Sequence, residues 1–271
     1  MYRPDAISLS FVPGTFSQTT ISSDMPNVSA EVKVDPLSHC PDQQEQLCGF
    51  KEGMQVLIFD TQGNFDFFTI TNVQSAAAHL QHMGQQFSVA YEAGAVVVQA
   101  NANSYYWCSP VNGVPCPDND KAWQLRKYDG FKGDAPLVDN VVGVGFAYFG
   151  DPNPPMNPKP KAGQANCLYD AAGNYVGLPV LSTVDGSLAE ITKAMLEDGP
   201  FCGGGSFRYD ADALRIRKIR VDLRMQVGLE GLRGSDTALW RNPGKASASD
   251  RVVPDYGVSF EVSPRNLNLS R

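Results

Sequence analysis

The chain has 271 residues, with 22 Lys and Arg against 29 Asp and Glu, so its formal net charge is −7; a pI near 5.0 argues against the bulk basic character by which a domain holds DNA phosphate. Apolar residues make up 42% of it, enough to bury a core and too many for a disordered chain. No stretch approaches the ~20 apolar residues of a membrane-spanning helix.

Taken in chain order, the segments are mostly strand-like. The start, "MYRPDAISLSFVPG", lacks the charged-then-apolar build of a signal peptide. Within it Ile7, Leu9 and Phe11 alternate with Ser8 and Ser10, the period of two of a half-buried strand. "EVKVD" repeats the pattern over a shorter run. "MQVLIFDTQGNFDFFTITNVQ" reads as a hairpin, with an apolar run to Phe59, a turn over Asp60–Gly63 and a return from Phe65 to Val73. "AVVVQANANSYYW" and "VVGVGFAYFG" are further runs rich in valine and aromatics. "GDPNPPMNPKPKAGQ" is an exposed loop, because its prolines exclude a ladder or a helix. "GSLAEITKAMLEDGP" is the best helix candidate: Ser187 as N-cap, Glu190 three residues on, apolar Leu188, Ile191, Met195 and Leu196, and a stop at Gly199-Pro200.

The most charged stretch is "LRIRKIRVDLRMQV", residues 214–227, with five basic side chains and one acidic one. From Ile219 onward Ile219, Val221, Leu223, Met225 and Val227 alternate with Arg220, Asp222, Arg224 and Gln226, which makes a strand with one apolar and one polar face. Leu214 and Ile216 have the opposite parity, so the phase slips at Arg217-Lys218, as a β-bulge would make it do. Fourteen extended residues would span about 46 Å. The expectation is that Arg215, Arg217, Arg220 and Arg224 lie on the solvated side, beside carboxylates, while Ile219, Val221, Leu223 and Met225 enter the core. "GVSFEV" supplies a last strand. The sum is a single domain over 1–271 of mainly β (α+β) class, with twisted antiparallel sheets, one or two short helices and long loops.

Six cysteines, Cys40, Cys48, Cys108, Cys116, Cys167 and Cys202, fall in loops rich in Pro, Asp and Asn. An even number with two close pairs points to disulfides and an oxidising compartment. Fifteen pairings exist; pairing neighbours gives Cys40–Cys48, Cys108–Cys116 and Cys167–Cys202. Loop closure would contribute about 2.6 kcal/mol for the short loops and about 3.8 for the long one, as upper values. Zinc is the competing use, but the ligand spacing of a zinc knuckle is absent.

The search for chemistry finds no assembled site. His39, His79 and His82 show no zincin spacing, and a structural role outweighs metal or base for each. "GVGFAYFG" runs into aromatics rather than a helix, and "FCGGGSFR" reads as a flexible loop. Asp118 and Asp120 begin like a calcium loop that then lacks its glycine and distal Glu. Asn27 and Asn268 head formal glycosylation sequons. The expectation is therefore no catalytic, cofactor-binding or metal residue.

In their order, "MQVLIFDTQGNFDFFTITNVQ", "PLVDNVVGVGFAYFGDP", "AMLEDGPF", "DADALRIRKIRVDLRMQV" and "VPDYGVSFEVSPRNLNLSR" resemble the globular part of bacterial prepilin-type proteins. These are the minor pilins of type IV pili, of the PilW-like kind, and the related minor pseudopilins of type II secretion. The likeness runs from about residue 5 to the end, with a divergent middle near 75–135, and no single motif carries it. It implies a pilin-like head and a non-catalytic structural subunit that aids filament assembly or forms the tip. It also implies an N-terminal helix, either severed from this head or held by a separate chain, through which the inner membrane is a partner. The other partners would be major and minor pilins, with Arg215, Arg217, Arg220 and Arg224 as a subunit interface, and the setting extracytoplasmic: periplasm-facing when anchored, cell surface when in the pilus. Two other classes stay open. A tip adhesin for an unknown surface ligand would gather Tyr105, Tyr106 and Trp107 into an exposed cluster. A DNA-uptake receptor would leave the arginines open beside no acidic neighbour, although nucleic acid is not the expected partner. An enzyme is the weakest alternative.

Overall fold

A computed structural model describes residues 6–14, 17–38, 40, 45–130, 133–184, 186–246 and 251–264. The short apolar runs become short strands: β1 (Ala6–Phe11), β2 (Gln18–Thr20), β3 (Val32–Lys33), β4 (Gln55–Phe59), β5 (Phe65–Thr69), β6 (Asn72–Gln74), β7 (His79–Gln81), β8 (Val96–Gln99) and β9 (Asn101–Cys108). There follow β10 (Gln124–Tyr128), β11 (Asp134–Asp139), β12 (Val141–Gly150), β13 (Ala189–Ile191), β14 (Phe201–Cys202), β15 (Tyr209–Asp210), β16 (Ile216–Met225) and β17 (Tyr256–Val262). Helical structure among the described residues is limited to 3-10 turns of three to five residues. The fold is mainly β and every strand pair is antiparallel.

Sheets of order β2-β8-β4-β5 and β3-β7-β6 share the largest apolar cluster, in which Val56, Ile58, Phe68 and Val97 of the first sheet join Val32 and Leu80 of the second. Burying each such side chain contributes about 1.5–3 kcal/mol. Asp66, also buried, is satisfied by the Ser88 backbone N–H and by the hydroxyls of Ser88 and Tyr91. The valine run at 95–107 is two strands, not one. Buried Ala100, whose N–H donates to Gln55 O, carries the chain from that layer into the sheet β1-β9-β10-β11.

The β4–β5 hairpin closes as expected. Asp60 Oδ1 accepts the N–H groups of Gln62 and Asn64, both at 2.9 Å, and Gly63 takes φ +92°. The same turn recurs in "YDAAGNY". There Asp170 Oδ1 accepts from Ala172 and Asn174, Gly173 takes φ +84°, and Tyr169 bridges Tyr175. Bonds donated by the Asn174 side chain and backbone hold the Asp170 carboxyl below its ordinary range.

The three disulfides join Cys40–Cys48, Cys108–Cys116 and Cys167–Cys202, so the neighbouring assignment is the observed one. The helix candidate at 186–200 is not a helix. Leu188, Ala189 and Ile191 are all buried while Glu190 is exposed, and Ala189–Ile191 pair with Tyr148–Gly150 of β12. Only a single turn follows, with Leu196 N–H on Thr192 O and Glu197 N–H on Ala194 O. An open edge at the end of β12 overrides a helical pattern whose own nucleation is costly.

Candidate functional site

The fourth sheet, β13-β12-β16-β17, carries the charged strand at its centre. Gly150 pairs with Ile216 and Phe149 with Lys218, so Arg217 is the extra residue of a bulge at the place where the sequence slips phase. Gly150 meets the Arg215 carbonyl so closely there that a Cβ would collide with it. The strand starts at Ile216 rather than Leu214, because Ala211–Arg215 form a 3-10 turn capped by Asp210.

On one face of the sheet lie Arg220, Asp222 and Arg224. They sit opposite Ala147, Gly145 and Gly143 of β12 and Glu261, Ser259 and Gly257 of β17. The missing side chains at Gly143 and Gly145 leave room for long polar ones to lie flat. Arg220 reaches the Phe149 ring at 5.5 Å and Asp222 at 3.2 Å; Lys218 pairs with Glu261 at 2.8 Å. Arg224 pairs at 2.9 Å with the buried carboxylate of Asp255, and Arg217 at 2.8 Å with Asp151. The expectation of a polar face beside carboxylates holds for Arg217, Arg220 and Arg224. For Arg215 it does not: this residue is fully buried. Its Nε bonds Asp212, and its two terminal nitrogens donate to Pro152 O at 2.9 Å and Pro179 O at 2.8 Å. Pro152 O also accepts the Leu181 N–H at 2.9 Å, and the buried guanidinium ties this carbonyl to that of Pro179. Burial raises the Asp212 pKa, with Arg215 opposing.

The other face is apolar. Ile219, Val221, Leu223 and Met225 stand opposite Val262, Phe260, Val258 and Tyr256, and on the far side opposite Tyr148, Phe146, Val144 and Val141. Directly paired residues share a face. Ile219 and Leu223 are buried as expected, but Val221 and Met225 are only half-buried. All four β17 members are exposed, Tyr256 by 52% and Phe260 by 45%. Among the described residues β17 is also an edge strand, with no further strand paired on its outer side.

The remaining candidates are structural. Tyr105 and Trp107 point to the opposite side of β9 from Tyr106, all three are half-buried, and the polar groups of Tyr106 and Trp107 bond Asp134 and Val141 O. His82 is buried between Ala30 O and Gln85 O against Phe68 and Phe87, and His79 pairs with Glu31. His39 and Asn268 lie outside the described residues; Asn27 is exposed, and its Oδ1 accepts from Ser29. Asp118 Oδ2 is committed to Arg126. Asp198, Asp210 and Asp212 approach within 4.8 Å, but Asp210 accepts from Gly199 and Asp212 N–H groups and Asp212 binds Arg215, so the cluster caps loops.

One important residue gave no sequence signal. Arg126 of β10 is 0% exposed and bonds Asp134 Oδ1 at 2.8 Å, Asp118 Oδ2 at 2.9 Å, Gln124 Oε1 at 2.7 Å and Asp134 O at 3.0 Å. Burial works against its charge, and the bonds to Asp134 and Asp118 outweigh it, raising the pKa above the ordinary value. Three disulfides in one chain are the usage of an oxidising compartment. No protein-family model, no curated protein and no solved structure matches the chain.

Proposed function

We propose that the chain is the globular head of a prepilin-type minor pilin or minor pseudopilin: a non-catalytic structural subunit that aids assembly of a type IV pilus or type II secretion filament, or forms its tip. The observation that carries this reading is the exposed apolar stripe Tyr256, Val258, Phe260 and Val262, continuous with the apolar faces of β16 and β12. An antiparallel sheet with one solvated face ordinarily packs its other face on something. An apolar helix of the kind that such proteins use as anchor and filament core fits a three-strand apolar face, and each Å² it covers stabilises by about 25 cal/mol. Other pilins and the inner membrane are the partners, and the three disulfides fit an extracytoplasmic head. The arginines speak for register rather than for DNA, since Arg217, Arg220 and Arg224 each have a carboxylate partner, while buried Arg215 is within reach of neither a neighbouring subunit nor DNA. Tyr105, Tyr106 and Trp107 do not form the exposed cluster that a tip adhesin built on them would need.

The test is genetic and structural together. Deleting the coding gene in the source bacterium should abolish or thin its surface filaments or its type II secretion, and the wild-type gene should restore them. A Val258→Glu, Phe260→Glu gene should not restore them, although the purified variant head melts like the wild type. Unchanged filaments and secretion in the deletion strain, or full rescue by the double variant, would overturn the proposal.

A further inference from the structure

Between the disulfide loop 108–116 with its continuation and the ends of β11, β12 and β16 lies an open cleft of about 470 Å³, within the range of about 300–1,000 Å³ usual for small-molecule sites. Its walls include the Trp123 ring, braced on Trp107 at 5.8 Å, together with Asn119, Lys121, Asp139, Asn140 and Arg233. Arg233 is the telling member. One of its terminal nitrogens donates to Gln226 Oε1 at 3.0 Å and Asn242 O at 3.1 Å, while its Nε is buried and has no acceptor. An unmatched buried donor costs about 1–3 kcal/mol and asks for an explanation. Asn140 takes φ +58°, the left-handed conformation that Asn tolerates, with its side chain packed over Gly228, where a Cβ would come within 3.3 Å of the carboxamide. Asp139 is exposed, and its Oδ1 accepts from Gln124 Nε2 at 2.8 Å.

We propose that this cleft binds a saccharide residue bearing a carboxylate, a hexuronic acid of a polysaccharide. The indole takes the C–H face of the sugar ring. The carboxamides of Asn119 and Asn140 and the carboxylate of Asp139 take hydroxyls, as donors and acceptor. Arg233 and Lys121 take the carboxylate, and the fork of an arginine suits a planar anion. Asp139 disfavours a compact dianion such as phosphate. The proposal does not depend on the filament reading.

The experiment titrates the whole chain with a galacturonic acid disaccharide, its neutral galactose counterpart and inorganic phosphate, each at one ionic strength, following the indole N–H signals by NMR. The uronate should move the Trp123 signal and leave that of Trp240, whose Nε1 donates to Val253 O in the interior, unmoved. The neutral disaccharide should bind about fivefold more weakly, the worth of one partly exposed charge contact. Arg233→Lys keeps the charge and loses the planar fork, so it should narrow that preference without erasing it, because Lys121 remains. Lys121→Gln, an exposed change that leaves folding intact, should weaken the uronate about 1.5- to 5-fold. No Trp123 shift with either sugar, equal binding of both, phosphate as effective as the uronate, or wild-type affinity in Lys121→Gln and Arg233→Lys would each overturn the proposal.

Discussion

Arg126→Leu should be the most damaging single substitution on the β1-β9-β10-β11 sheet. Removing one member of a buried ion pair costs about 3–5 kcal/mol, mostly because the partner is left charged without compensation. Here two carboxylates lose the guanidinium, and they do so unequally. The Asp118 side chain is 73% exposed and turns to water, whereas Asp134, at 26%, stays partly enclosed and keeps its 2.6 Å bond from Tyr106 Oη. One stranded carboxylate rather than two puts the loss near the low end, about 3 kcal/mol. Asp118→Asn should cost about 0–1 kcal/mol, the range of an exposed pair. Urea unfolding followed by tryptophan fluorescence and circular dichroism would read both. Arg126→Leu with Asp134→Leu should recover much of the single loss, because no unmatched charge then remains. An Arg126→Leu chain within about 1 kcal/mol of wild type, or an Asp118→Asn chain as weak as Arg126→Leu, would refute the assignment of the energy to burial.

Leu223→Ala should cost about 2–3 kcal/mol: the side chain is buried between Val144 and Val258, but exposed Val258 allows some collapse. Arg220→Glu should cost the isolated chain less than about 1 kcal/mol, and equal losses for the two in denaturant titration would contradict the two-faced sheet. The Tyr106 phenol is pushed up to about 12 by burial and by its hydrogen bond to Asp134. A raised folded value favours the neutral phenol, so its stabilisation is complete below the ordinary tyrosine value of about 10 and is lost as pH rises toward 12. Tyr106→Phe should flatten that part of the alkaline stability profile relative to wild type, and spectrophotometric titration should lose one late phenolate near pH 12; unchanged profiles would remove Tyr106 from the account.

Local signals in the sequence carried most of the architecture. Alternation located β1, β3 and β16, a run of valine and aromatics located β12, a parity slip located the Arg217 bulge, and turn chemistry located the β4–β5 hairpin. Cysteine spacing matched the three bridges. The second D-x-x-G-N turn was equally visible, since "YDAAGNY" repeats the aromatic, Asp, Gly and Asn positions of "FDTQGNF". What was not legible depends on distant chain. Arg126 and Arg220 look alike as polar positions in alternating strands, and only the convergence of Asp134 from β11 and Asp118 from beyond the disulfide loop distinguishes one of them. Arg215 reads as a surface residue until the Pro152 and Pro179 carbonyls converge on it. The 186–200 pattern satisfies helical rules locally and loses to the free edge of β12. The Arg233 cleft is assembled from three separate segments, and no short window contains it.

The Cys167–Cys202 bridge has a mechanical consequence. It joins residues 35 apart in sequence, and the loop between them contains the Asp170 turn and β13. Pulled by its ends, a chain without that bond could pay out about 120 Å of extra length there, at roughly 3.5 Å per residue. With the bond intact, tension passes through two sulfur atoms and bypasses the loop entirely. The enclosed segment can then lose its shape without lengthening the molecule, so a tensioned chain stretches only through the residues outside the bridge and not through this loop.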